Sequence, residues 1–217
     1  MTRQPLDSGW TQRTFPGETI CGDQAALFEG GGGYWMVIAD GLGHGPRAHA
    51  AAAKAVSMVE HVAASGARLG DLPVGTTLTT PQITLPALFS NIHDSLKETV
   101  GAAVGIAHVD VTDGTVRVAG VGNVLIRRYG SAETHVVCRD GFLGQPGRRL
   151  SGPRPAEFRL APGDLLLLAS DGIQGDFTIE SYPGILNDPA VLVAWTLVER
   201  FGTAHDDVTC LAVRYVP

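Results

Sequence analysis

The stretch Tyr34-Trp35-Met36-Val37-Ile38-Ala39-Asp40-Gly41-Leu42-Gly43-His44-Gly45-Pro46 decides how this chain is read. Residues 34–39 form a short apolar run and read as a buried strand. The run ends abruptly on Asp40, and a glycine-rich turn follows. Pro46 is a favoured first helical residue, and the Ala-rich residues 48–64 predict a helix.

Outward from that stretch, residues 66–81 carry Gly, Pro and Thr and read as a loop, and residues 86–100 as a second helix. Residues 102–111 and 115–121 read as strands joined by a hairpin turn at Thr112-Asp113-Gly114. After a Gly122-Asn123 turn, residues 124–129 and 134–138 continue the strand series. A Gly/Pro/Arg loop spans 140–155, a turn 161–164, and a buried strand 165–170 that runs straight into Asp171. Residues 189–201 predict a third helix and 208–216 a last strand. Strands in meanders with helices set apart fit antiparallel sheets covered by helices, an α+β arrangement. The strand–helix alternation of a doubly wound parallel sheet is absent.

The 217 residues fit one domain, 1–217, and 44% hydrophobic residues suffice for a core. The net charge of -6 argues against general nucleic-acid binding and against attraction to anionic membranes. Acidic clusters suit divalent cations, although a solvated acidic surface is the commoner cause. Cys21, Cys138 and Cys210 are odd in number and form no CxxC pair, which favours reduced thiols. Residues 1–9 lack the apolar core of a signal peptide, and no stretch approaches the ~18 apolar residues of a membrane helix. A cytoplasmic monomer is expected.

Four acidic spots share one grammar: Cys21-Gly22-Asp23, Ala39-Asp40-Gly41, Ser170-Asp171-Gly172-Ile173 and His205-Asp206-Asp207-Val208. A carboxylate at the end of a buried strand is partly desolvated and rigidly aimed, which is costly when uncompensated. Several such carboxylates converging would repel one another, and a divalent cation removes both costs. Hard oxygen ligands suit Mg²⁺ or Mn²⁺ and disfavour zinc. Gly after Asp lets the backbone approach closely, so that its carbonyl becomes a ligand too. Two such ions about 3.5–4 Å apart would activate a water and clamp a phosphoryl group in line. One Asp-Gly after a strand is ordinarily only a turn; the ordered set is what points to a metal site.

With Gly120-Val121-Gly122-Asn123-Val124, these motifs stand in the order found in the PPM phosphatases, and the chain is most similar to the compact RsbX type of the SpoIIE-like branch. The resemblance spans roughly residues 9–215. It implies an αββα sandwich of two mainly antiparallel sheets flanked by helices. It also implies a serine/threonine phosphatase using two Mn²⁺ or Mg²⁺ ions, acting on phosphorylated STAS-domain proteins of a stress-response partner-switching module such as the stressosome. By resemblance Asp40 matches the carboxylate that bridges both metals and Gly41 offers its carbonyl. Asp171 and Asp206 match further ligands, and Asp40 and Asp171 are the expected catalytic pair. Asp23 matches an acid that reaches the metal through water. Asp207 stands where relatives carry Asp or Asn and is read as a supporting residue. Asn123 matches a position near the site.

The chain departs from larger PPM enzymes in two ways. They carry an N-terminal Arg that holds substrate phosphate, for which Arg13 is the nearby residue here. They also carry a His directly after the Asp-Gly, where this chain has His44 three residues after Gly41. His44 is open between a general acid, which its ordinary pKa suits, and a solvent-facing loop residue. His205 reads as orienting the acidic motif. Arg148, Arg149 and Arg154 are open between contact with a phosphoprotein and a solvated basic loop. Trp10, Trp35 and Trp195 read as packing residues and the cysteines as buried thiols.

Three rivals remain. Gly41-Leu42-Gly43-His44-Gly45 resembles a dinucleotide loop, but Pro46 stands where Gly or Ala belongs and Asp40 would face the pyrophosphate. A catalytically inactive scaffold would be marked by loss of Asp40 or Asp171, and both are present. A small-molecule phosphomonoesterase keeps the chemistry and changes the substrate.

Overall fold

The computed structural model describes residues 5–70, 82–147, 152–173, 177, 179, 182 and 184–217. The first sheet runs β1 (Leu6–Arg13), β12 (Val208–Tyr215), β11 (Leu165–Ala169), β8 (Leu125–Tyr129) and β9 (Thr134–His135). The second runs β10 (Ala156–Arg159), β7 (Thr115–Val121), β6 (Ala102–Asp110), β3 (Gly33–Gly41) and β2 (Asp23–Gly30). Every pairing within them is antiparallel. A short parallel ladder joins β4 (Arg68–Leu69) to β5 (Gln82–Ile83). Helices α1 (Gly45–Ala64) and α2 (Leu85–Ser95) cover the second sheet, and α3 (Ala190–Phe201) covers the first.

The layering follows from side-chain alternation along strands that are buried on both faces. In β3, Trp35, Val37 and Ala39 pack toward α1 and α2, whereas Met36 and Ile38 point into the space between the sheets. In β11, Leu165, Leu167 and Ala169 face α3, whereas Leu166 and Leu168 meet the opposite sheet. Three apolar layers result, in the order helices, sheet, sheet, helix. This is the expected αββα sandwich. In α1 the small side chains of Ala48, Ala51, Ala52 and Ala55 are fully buried, so the helix lies close on β3.

Several local expectations are corrected. α1 begins at Gly45, three residues early, with Pro46 in its first turn. The second helix stops at Ser95 rather than at residue 100, because the Thr99 hydroxyl and N–H both bond to the Leu96 carbonyl and close the last turn. The strand expected over 134–138 is regular only at Thr134–His135, with one further bond from the Val136 N–H to the Ile126 carbonyl at 3.0 Å. β1, β2 and β10 lack a continuous apolar run and escape a reading based on one. Trp35 is fully buried, but Trp10 and Trp195 are half-exposed and are not core residues. Cys21 and Cys210 are buried, and Cys138 is partly so. Among the described residues no helix is long and apolar enough to cross a membrane.

Gly41 shows how tightly α1 fits. A Cβ there would stand 2.0 Å from the Ala48 carbonyl oxygen, a backbone atom with no rotamer to yield. Gly41→Ala is expected to cost about 1–3 kcal/mol or more and to lower the thermal midpoint, read by calorimetry. A midpoint equal to that of the parent would contradict this contact.

Candidate active site

Antiparallel pairing puts one arriving and one departing strand side by side at the same end of each sheet. In the second sheet β3 arrives with Asp40 and β2 departs from Asp23, and these two residues are register partners. In the first sheet β11 arrives and is followed by Asp171, while β12 departs after Asp206 and Asp207. Residues far apart in sequence thus meet where the ends of the two sheets face each other. A cleft of about 560 Å³ opens there, lined by Asp40, Asp171 and Asp206 together with His44, Asn123, Asp140, Phe142 and His205.

The electrostatics are those of crowded acids. Burial raises the Asp40 carboxyl to about 9, and the charges of Asp23, Asp171 and Asp206 add to the shift. Burial likewise raises Asp23 to about 7, with Asp207 and Asp206 adding and the hydroxyls of Ser170 and Thr209 opposing. Asp206 is raised as well, again chiefly by burial. Asp23 Oδ2 is buried without a hydrogen-bond partner among the described residues. An orphaned, desolvated carboxylate oxygen costs free energy unless a cation meets it.

The neighbouring residues divide into holders and liners. Asp207 is buried and accepts the N–H groups of Phe15 (2.8 Å) and Gly22 (2.9 Å). It thereby ties the segment before β2 to the start of β12. Asn123 sits in the turn between β7 and β8, and its Nδ2 donates to Asp171 Oδ2. His44 stands at the cleft with its Nδ1 2.6 Å from Glu18 Oε1. His205 lines the cleft, and its N–H donates to the Thr203 hydroxyl. Arg13 does not reach the cleft lining: its guanidinium donates to the carbonyls of Val198 (3.1 Å) and Thr203 (2.8 Å), which binds β1 to the end of α3. Arg148 and Arg149 lie outside the described residues, as does the 71–81 part of the first loop.

Sequence reading missed Phe15 and Glu18, and it offered Asp140 and Phe142 only as part of the 140–155 loop, one of two loops expected to contribute to substrate recognition. Asp140 and Phe142 reach the cleft because Arg139 and Leu143 pair with Val121 and Ala102 as isolated bridges. No local pattern announces such a pairing.

Among the described residues no three His, Cys, Asp or Glu side chains stand close enough to form a ready-made ligand cage. The donor set nonetheless fits hard divalent cations. It is all oxygen, it is crowded enough to raise its own pKa values, and it includes the unsatisfied Asp23 Oδ2. A dinucleotide site is excluded, because β3 is antiparallel to both of its neighbours and that site needs a parallel βαβ unit.

The family model described as Stage II sporulation protein E (SpoIIE) matches residues 30–216, a span that holds Asp40, Asp171 and Asp206 but begins after Asp23. No curated protein matches the chain. Among solved structures, a protein described in work on the bacterial stressosome, a modular system adapted to control secondary messenger signaling, superposes with a TM-score of 0.79 at 27% identity, covering 96% of this chain and 99% of that one. RsbX in complex with magnesium superposes with a TM-score of 0.73 at 18% identity, covering 99% and 97%. The PP2C phosphatase domain of SpoIIE from Bacillus subtilis, with a fragment of its regulatory domain, superposes with a TM-score of 0.70 at 19% identity, covering 96% and 63%. At such identities the last two likenesses are likenesses of fold. With the family model spanning most of the chain, this chain belongs to the SpoIIE family, and its sandwich has the fold of the PPM-type phosphatases.

Proposed function

We propose that the chain hydrolyses phosphoserine and phosphothreonine on phosphorylated STAS-domain proteins of a stress-response partner-switching or stressosome module, using two Mn²⁺ or Mg²⁺ ions held by Asp23, Asp40, Gly41, Asp171 and Asp206. The observation that carries this reading is the convergence of carboxylates from both sheets on one cleft. When bound, such ions supply a nucleophilic water and neutralise charge on the phosphoryl group.

The chain's own residues do the rest. Asp40 lies among Asp23, Asp171 and Asp206, each close enough to perturb its carboxyl, which suits a bridging position. Asn123 fixes the Asp171 carboxylate. Asp207 holds backbone N–H groups rather than facing the cleft, which suits a supporting role. The likeness to a protein described in work on the stressosome supports the choice of substrate.

The test is turnover of a phosphorylated STAS-domain protein beside an aryl phosphate, each with Mn²⁺ and with a chelator. Mn²⁺-dependent release of phosphate from both is expected. Turnover of small phosphomonoesters alone would sink the protein substrate. Absence of turnover with every substrate would favour a scaffold.

A further inference from the structure

Among the described residues lining the cleft there is no Lys or Arg. Its acids are not all alike. The charges that raise Asp40 are those of Asp23, Asp171 and Asp206, the cluster assigned to the cations. Asp140 also lines the cleft, but it arrives on a separate segment and is exposed. It makes no hydrogen bond or ion pair among the described residues. Two positions further on, Phe142 lines the same cleft and is half-buried.

The segment that carries them is clamped at both ends by backbone bonds. The Arg139 N–H donates to the Gly120 carbonyl at 2.9 Å, and the Gly122 N–H donates to the Arg139 carbonyl at 2.8 Å. The Leu143 N–H donates to the Ala102 carbonyl at 2.8 Å, and the Ala102 N–H returns a bond of 3.1 Å. Residues 140–142 are therefore held between fixed points at the ends of β7 and β6. Gly101, at φ +88, makes room for the ring: a Cβ there would stand 2.8 Å from Phe142 Cδ2 and 2.6 Å from the Leu143 carbonyl oxygen. The Leu42 N–H donates to the Gly101 carbonyl at 3.0 Å, which brings Leu42, another lining residue, to the same corner. One wall of the cleft thus sets an aromatic ring and an aliphatic side chain beside a carboxylate that no described residue pairs with.

Such a wall is the complement of a long cationic side chain. The stem of an Arg or Lys covers apolar surface, its charged head is attracted to a ring face, and a guanidinium forks onto a carboxylate. Phosphate held at the acid cluster carries no information about the residues beside it, so selectivity among phosphorylated segments has to come from other groups of the cleft. We propose that Asp140 and Phe142 are specificity-determining residues that receive an Arg or Lys flanking the phosphorylated serine or threonine, so that the substrate is a phosphorylated segment with a basic neighbour. This rests on the phosphatase reading above and narrows its substrate. An acidic neighbour would meet Asp140 as a like charge and be turned away.

The experiment measures kcat/KM of the full chain at saturating Mn²⁺ on phosphoserine peptides that differ only in carrying Arg or Glu, immediately before or immediately after the phosphoserine. An aryl ester, p-nitrophenyl phosphate, serves as the substrate without neighbours. The readout is the ratio of Arg peptide to Glu peptide, which a general loss of activity leaves alone. The parent is expected to favour Arg about tenfold at one of the two positions, the combined worth of an exposed ion pair and a cation–π contact, and to lose part of that preference at high salt. Asp140→Asn is expected to lower the ratio at least threefold, and Asp140→Lys to bring it below one. Phe142→Leu, which keeps an apolar group beside Gly101, is expected to lower the ratio about threefold. A parent ratio of one, a ratio that survives Asp140→Lys, or turnover of the aryl ester with neither peptide hydrolysed would overturn the proposal while leaving the phosphatase chemistry intact. Inactivity of the parent on the aryl ester and the peptides alike would remove the phosphatase reading and this inference with it.

Discussion

Asp40→Asn is expected to reduce Mn²⁺-dependent phosphate release by about three orders of magnitude or more, the rate equivalent of about 4 kcal/mol of lost charge stabilisation. The residue sits where β3 runs out and stands in register with Asp23, with Asp171 and Asp206 arriving from the opposite sheet. An amide there keeps the shape but gives up the charge that a bridging ligand needs. Asp171→Asn is expected to act in the same direction. It also turns the acceptor of the Asn123 amide into a group able to face it with an N–H, so reorientation adds to the loss. Neither substitution opens a cavity, and both proteins are expected to fold. Phosphate release from an aryl ester, measured beside circular dichroism, checks both halves of this expectation. Full activity in either folded variant would exclude the two-ion assignment.

The second large effect is on stability, where pH and cation are linked. The carboxyls of Asp23 and Asp40 have folded-state values raised from 3.8 to about 7 and about 9. A carboxyl raised on folding contributes stability that is complete below its unfolded value of about 3.8 and is lost as pH rises through its folded value. With a chelator present, stability is therefore expected to fall between about pH 4 and pH 9, through both carboxyls up to about pH 7 and through Asp40 alone from there to about pH 9. Each pH unit in which one such group titrates removes up to about 1.4 kcal/mol.

Saturating Mn²⁺ is expected to reverse the trend, because a ligand at 100 times its Kd stabilises by about 2.7 kcal/mol. At about 2–4 °C per kcal/mol for a chain of this size, the midpoint should rise by roughly 5–10 °C. Asp40→Asn removes the most strongly raised carboxyl, so in chelator at pH 8 the variant should melt above the parent and respond weakly to Mn²⁺. Thermal melts from pH 5 to pH 9, with Mn²⁺ or with chelator, provide the check. A parent whose midpoint ignores both pH and cation would show that these acids do not bear one another's charge.

Much of this was legible locally. An apolar run ending on Asp40 or Asp171 is read from neighbouring residues, because burial on both faces of a strand demands continuous apolar side chains. The same is true of the Ala-rich stretch of α1 and of the acids before β12. The ordered motifs were enough to name the layered sandwich and to nominate Asp23, Asp40, Asp171 and Asp206. β1 and β2 were not legible, since each has half-exposed stretches and shows no unbroken apolar run. The early end of α2 depends on a side-chain bond from Thr99 that competes with the helix.

What the tertiary structure alone decided lies in contacts between residues remote in sequence. Asp207 is adjacent to Asp206 yet turns its carboxylate to the N–H groups of Phe15 and Gly22, 192 and 185 residues away. Arg13 is spent on the end of α3. Glu18 meets His44 across 26 residues. By itself the sequence determined which side chains end buried strands, because hydrophobic periodicity acts over a few residues. Only the packing of two sheets determined which of those ends meet, and which neighbouring groups would hold, neutralise or face them, because electrostatics and hydrogen bonding depend on distance in space rather than along the chain.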